Sequence, residues 1–170
     1  VGYDIVESKR IKIKEEGGIS VDDVDEIYKN CDLIFLCLPS DELVRDSINR
    51  IVEIGRQGTI IVDLSSSSPY MIQELNRNVK KEKMRLLDCP VSGGEKGAKL
   101  GTLVLMCGGD LKTFEKVKDA LLCIGKKVTY IGSSGSGDIA KIINNMIVGC
   151  NIASVSEGFS LAVKAGIDPE

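Results

Sequence analysis

Two short stretches of this chain, Asp32–Leu38 (DLIFLCL) and Thr59–Asp63 (TIIVD), are apolar almost without a break. A strand with one wet face alternates apolar and polar residues, so an unbroken run this short marks a strand covered on both sides. Met84–Asp88, Leu103–Cys107 and Lys127–Ile131 read as three further strands. Amphipathic segments near 7–16, 22–30, 40–54, 69–82 and 111–123 lie between them and read as helices. Ser68-Pro69 opens one of these as a capping serine followed by proline at the first helical position. Strands that alternate with helices imply an α/β fold, a doubly wound and mostly parallel sheet with helices on both faces.

Both ends depart from that pattern. After Gly132 a glycine- and serine-rich loop runs to Gly137, and Asp138 to about Ala165 then reads as one long helix, too apolar to be another surface crossover. It is expected to be the first long helix of an all-α domain, which divides the chain into residues 1–132 and 133–170. At the other end Val1–Asp4 reads as the tail of a strand. In a Rossmann-type dinucleotide-binding fold a G-x-G-x-x-G loop follows the first strand, and an acidic residue roughly 20 positions later ends the second. No such glycine loop follows a strand here, and Asp4 fits the acidic position. The expectation is therefore a Rossmann domain lacking its first strand, with the glycine loop upstream of Val1.

Composition narrows the chemistry. The net charge is −3 with both signs mixed along the chain, which gives no electrostatic reason to expect nucleic acid or an anionic membrane as partner. No unbroken apolar run approaches about 18 residues and no signal-peptide pattern opens the chain. These features point to a soluble, cytoplasmic protein. The six cysteines are scattered without C-x-x-C spacing, several inside apolar runs, and read as reduced core thiols rather than a metal site. Histidine is absent altogether. That removes the usual general base and the serine–histidine–aspartate relay, so lysine, a carboxylate, serine or a cofactor must carry any catalysis.

Three segments bear on what that catalysis is: Asp63-Leu-Ser-Ser-Ser-Ser-Pro69, Asp88-Cys-Pro-Val-Ser-Gly-Gly94, and Gly135-Ser-Gly-Asp-Ile-Ala-Lys141 with Asn144-Asn145 after it. They resemble motifs of the β-hydroxyacid dehydrogenases, the group of 3-hydroxyisobutyrate dehydrogenase, tartronate semialdehyde reductase and glyoxylate reductases, with 6-phosphogluconate dehydrogenase as a larger relative. Gly101–Gly109 and Lys164–Glu170 are similar to further family segments, in the same order and spacing, so the resemblance spans nearly the whole chain.

The candidate site follows from these residues. Lys141 near the start of the long helix stands where the positive helix end disfavours an ammonium, which suits a lysine that exchanges protons with a substrate oxygen as general acid/base. Asn145, four residues on, shares its helix face, though Asn144 is an alternative inward residue. The resemblance implies that Asn145 holds the substrate and orients the lysine. Ser92, Gly93 and Gly94 suit a carboxylate, since two glycines let backbone N–H groups converge and the serine adds a donor. Leu38 and Pro39 end a strand at the sheet edge where ligands bind in such folds. In the family that loop passes the cofactor's ribose and nicotinamide, and Ser66 stands where relatives often carry threonine. Asp4 suits the two ribose hydroxyls of NAD and repels a 2′-phosphate, and Ile5 occupies the position where NADP-dependent relatives tend to carry arginine. NAD is therefore the expected cofactor, with NADP possible through Lys9 and Arg10.

The implied activity is hydride transfer between NAD(P) and a short 3-hydroxy acid or its semialdehyde, with a small carboxylate substrate and a homo-oligomer when the protein is complete. The 170 residues alone are expected to be inactive. Two rivals remain: a non-catalytic nucleotide-binding or interaction module derived from such an enzyme, and a dehydrogenase of a 6-phosphogluconate-type sugar acid.

Overall fold

The computed structural model describes residues 1–168. Pro169 and Glu170, the end of the last family-like segment, lie outside the described residues. The elements in chain order are α1 (Glu7–Glu15), α2 (Asp25–Asn30), β1 (Leu33–Leu36), α3 (Asp41–Ile54), β2 (Ile60–Asp63), α4 (Pro69–Lys81), β3 (Arg85–Asp88), β4 (Val91–Ser92), α5 (Gly94–Leu100), β5 (Leu103–Gly108), α6 (Leu111–Leu122), β6 (Gly125–Gly132) and α7 (Ser136–Lys164). All five expected strands and the long helix are present.

Alternation along the strands builds two cores, one on each sheet face. Ile34, Leu36, Ile61 and Leu86 point to the side covered by α3 and α4, where they meet Val44, Ile48, Ile51, Ile72, Leu75 and Val79. Val62, Leu87, Leu105 and Cys107 point the other way, onto Phe114, Val117 and Leu121 of α6. Enclosing one side chain such as Ile72 contributes about 2 kcal/mol. Local signals set the helix starts. Ser40 Oγ accepts from Leu43 N–H at 3.4 Å to open α3, and Asp110 Oδ1 accepts from Thr113 N–H at 2.9 Å to open α6. Ser68 precedes α4, but its side chain makes no capping bond. Pro69 occupies the first helical position, and Ser68 donates its own N–H to Asp41 Oδ1 at the start of α3.

The sheet is parallel across β1, β2 and β3 and again between β5 and β6, but β5 runs antiparallel to β3 through the single pair Asp88–Gly108. The reason lies in the connection. Beyond Pro90 the chain continues as β4, which also pairs antiparallel with β5. Thus β3 and β4 act as one bent strand, and α5 turns the chain back along it. No helix is expected there, because Gly93, Gly94 and Gly97 disfavour one. At the amino end Gly2 bridges Ser20 in parallel, as the tail of a strand would. The following α1 has no buried residue.

Candidate active site

Because β1, β2 and β3 are parallel, the loops after them open on one edge of the sheet, the edge where ligands bind in α/β folds. Hydrogen bonds stitch those loops together. Leu38 N–H donates to Ser65 Oγ at 2.9 Å. Asp63, at the end of β2, accepts from Ser65 N–H at 3.0 Å and from Ser67 Oγ at 2.6 Å. Ser67 N–H donates to Asp138 Oδ1 in the first turn of α7 at 3.1 Å.

Asp88, at the end of β3, accepts from the N–H groups of Gly135, Gly137 and Asp138 at 2.8, 2.8 and 3.2 Å. These are amides that a helix start leaves without partners, so a carboxylate from the sheet caps α7. The approach is close: a Cβ on Gly137 would strike the Met106 carbonyl and stand 2.7 Å from the Asp88 carbonyl oxygen. Gly135 takes the left-handed conformation, φ 86°, that turns the chain into the helix.

Asp63, Asp88 and Asp138 are each only 1% exposed. Burial pushes the Asp88 carboxyl above its usual range, against the opposing pull of its N–H donors. Asp138 has fewer donors. Burial first, and then the neighbouring Asp88, push it up to about 8. A carboxyl group with that value keeps its proton at neutral pH.

Lys141 is half-buried on α7. The helix begins at Ser136 rather than Asp138, which moves Lys141 from the expected first turn into the second. The field of a helix end falls away within its first turn, so Lys141 stands largely outside it. Asn145 keeps its one-turn spacing from Lys141 and is exposed, while the half-buried Asn144 donates to Asn145 Oδ1 at 3.4 Å. Ser66 is the exposed member between buried Ser65 and Ser67, with Leu38 half-buried and Pro39 exposed nearby in the stitched loops. Ser92 lies in β4, and Gly93 and Gly94 follow with φ of 133° and 59°, values that favour glycine.

Asp4 stands on the separate amino-terminal arm. There it accepts from Val6 N–H at 2.9 Å and pairs with Lys9 Nζ at 3.3 Å. The Val6 bond and the Lys9 partner hold its carboxyl below the usual range. The edge network thus gathers Leu38, Pro39, Ser66 and the helix of Lys141, and leaves Asp4 apart. A cavity of about 510 Å³ between α3 and α4, lined by Asp41, Arg45, Ser68, Tyr70 and Glu74 among others, contains none of the candidate catalytic, substrate or cofactor residues.

The sequence reading gives no role to Asp63, Asp88 or Asp138, the groups that hold the site together. A signal exists: two apolar strands, IIVD and RLLD, each close on an aspartate, where burying a carboxylate is costly unless it is hydrogen-bonded.

Residues 1–132 match a family model described as the NAD binding domain of 6-phosphogluconate dehydrogenase. Residues 135–170 match another, described as the NAD-binding of NADP-dependent 3-hydroxyisobutyrate dehydrogenase. The chain belongs to the β-hydroxyacid dehydrogenase family. Among its relatives is 2-(hydroxymethyl)glutarate dehydrogenase of Eubacterium barkeri, 35% identical over 99% of this chain and 57% of that protein. Another is 2-hydroxy-3-oxopropionate reductase of Escherichia coli, 39% identical over 90% of this chain and 53% of that protein. A solved 3-hydroxyisobutyrate dehydrogenase of Mycobacterium tuberculosis superposes with a TM-score of 0.93 at 30% identity, covering 99% of this chain and 58% of that one. The chain spans a little over half the length of those relatives.

Proposed function

We propose that the complete protein moves a hydride between NAD(P) and a short 3-hydroxy acid or its semialdehyde, with Lys141 as general acid/base. The observation that carries this reading is the anchoring of α7. The helix that bears Lys141 and Asn145 is fixed at its start by Asp88 and Asp138 to the edge where Leu38, Pro39 and Ser66 lie.

The residues present fit a dinucleotide on its nicotinamide side. Ser66 turns an exposed hydroxyl outward from a loop whose neighbouring serines are internally bonded, and the Leu38–Pro39 loop borders it. When bound, NAD(P) supplies the hydride acceptor or donor. Lys141 Nζ takes the proton from the substrate hydroxyl in oxidation and returns it to the carbonyl oxygen in reduction. Asn145 holds the substrate beside it, and Ser92 with the Gly93 and Gly94 N–H groups receives the carboxylate.

The preference within the pair is NAD. Asp4 keeps an ionised carboxylate for ribose hydroxyls. Arg10 donates to the Asp4 and Ile5 carbonyl oxygens at 2.7 and 3.2 Å and approaches Asp22, which draws it away from a 2′-phosphate. The reading extends to a two-domain chain divided near residue 132, a homo-oligomer and a cytoplasmic location. By length and composition alone α7 is able to cross a membrane. Lys141, Asn144 and Asn145 within little more than one turn are costly in hydrocarbon and support a place inside a helical domain instead.

The test is NADH formation by the complete protein over a panel of short 3-hydroxy acids, with Lys141→Ala beside it. Turnover of one acid, reduced about 10²–10⁴-fold in the variant, is the expected result. Tight cofactor binding without turnover of any acid would replace this reading with the binding-module one.

A further inference from the structure

We propose that Asp138 is a positioning residue for Lys141: its buried carboxyl group ties the first turn of α7 to the Ser65–Ser68 loop and so sets where the lysine stands. The inference rests on the reading of Lys141 given above. Capping does not explain Asp138, because Asp88 already receives the N–H groups of Gly135, Gly137 and Asp138 itself. The Asp138 side chain reaches across to another element and accepts from Ser67 N–H at 3.1 Å. Ser67 is the immediate neighbour of Ser66, and Lys141 lies three residues along the helix from Asp138, on the same side of it. One side chain therefore joins the two segments that flank the proposed reaction centre.

The second Asp138 oxygen, Oδ2, is buried without a hydrogen-bond partner. The titratable groups that face Asp138 are Asp88 at the end of β3, Asp63 at the end of β2, Asp41 at the start of α3 and the Cys89 thiol. The other elements packed on the start of α7 bring the Gln73 amide from α4, the Met106 carbonyl from β5 and Gly132 from β6, all uncharged. A carboxyl group surrounded in this way is tolerable as the neutral acid, in keeping with a value pushed up to about 8. Ionisation would place a charge in this buried setting beside Asp88, and that repulsion strains the position of the side chain although the Ser67 N–H itself favours the charged form.

The pH sign follows. The carboxyl value rises from 3.8 to about 8 on folding, so the folded protein holds a proton through that window that the unfolded chain has lost. Stability from this group is full below the lower value, falls as pH rises, and levels off above the upper one.

The experiment uses the complete protein and three variants, Asp138→Asn, Asp138→Ala and Lys141→Ala. Tm without cofactor is followed from about pH 5 to about pH 9, and kcat and KM are measured over the same range. The wild-type Tm should fall toward about pH 8, and Asp138→Asn, which keeps an acceptor for Ser67 and cannot ionise, should remove most of that slope. Asp138→Ala should lose about 10²-fold in kcat with little change in KM, because the lysine is displaced, and Asp138→Asn should recover most of the loss and lack the alkaline fall. An unchanged Tm slope in Asp138→Asn, or full kcat in Asp138→Ala beside an inactive Lys141→Ala, overturns the positioning role alone. Full kcat in Lys141→Ala overturns the functional reading and this role with it.

Discussion

Gly135, Gly137 and Asp138 at the start of α7 are buried and bonded to the sheet, whereas farther along the same helix Ile142, Ile143, Met146, Ile147 and Val148 are exposed. The beginning of the helix is held by a few directional contacts: a carboxylate, three amides and two glycines that permit close approach. The remainder offers apolar surface on every side, and a helix apolar all round is one that other elements cover. Apolar area supplies energy without direction. The placement of Lys141 therefore depends on the polar beginning rather than on the long body.

Breaking the polar end should have the largest effect. Asp88→Ala strands three buried N–H groups and should cost about 4 kcal/mol in urea denaturation. A cost below about 1 kcal/mol would mean that something other than Asp88 holds the helix. Gly137→Ala comes next, at about 2 kcal/mol by the same measurement, since its methyl group must displace the Met106 carbonyl or the β3 backbone. Ile147→Lys sharpens the contrast from the other side. In the 170-residue chain, where Ile147 is exposed, it should change stability by no more than about 0.5 kcal/mol, and in the complete protein by about 2 kcal/mol or more if that face is covered.

The architecture was legible because the five expected strands are short, largely apolar runs and some helix starts carry a local signal. Ser40 and Asp110 cap as their residue types suggest. The Ser68 side chain does not, and its backbone N–H goes to Asp41 from another helix, a partner that local sequence cannot reveal. The antiparallel turn of β5 was hidden for a similar reason, since a two-residue strand beyond Pro90 and a glycine-rich helix both read as loop. Of the candidate site, the residues with distinctive chemistry stood out: the lysine, the paired glycines and the exposed serine. The aspartates behind them did not, since their roles come from burial and, for Asp88 and Asp138, from partners 47 to 71 positions away.

The junction between β3 and β5 carries one more consequence. The parallel ladder of β1 to β3 and the ladder of β5 and β6 meet directly through the single pair Asp88–Gly108, beside the short β4 ladder, while Val62 and Leu87 share one core cluster with Leu105 and Cys107. Proteins open locally where contacts are few, and a junction with a single ladder pair is such a place. Asp88 is both part of that seam and the anchor of α7. A fluctuation that parts the seam thus also releases the helix that carries Lys141, and brief local opening of the fold and transient loss of the aligned site become one event.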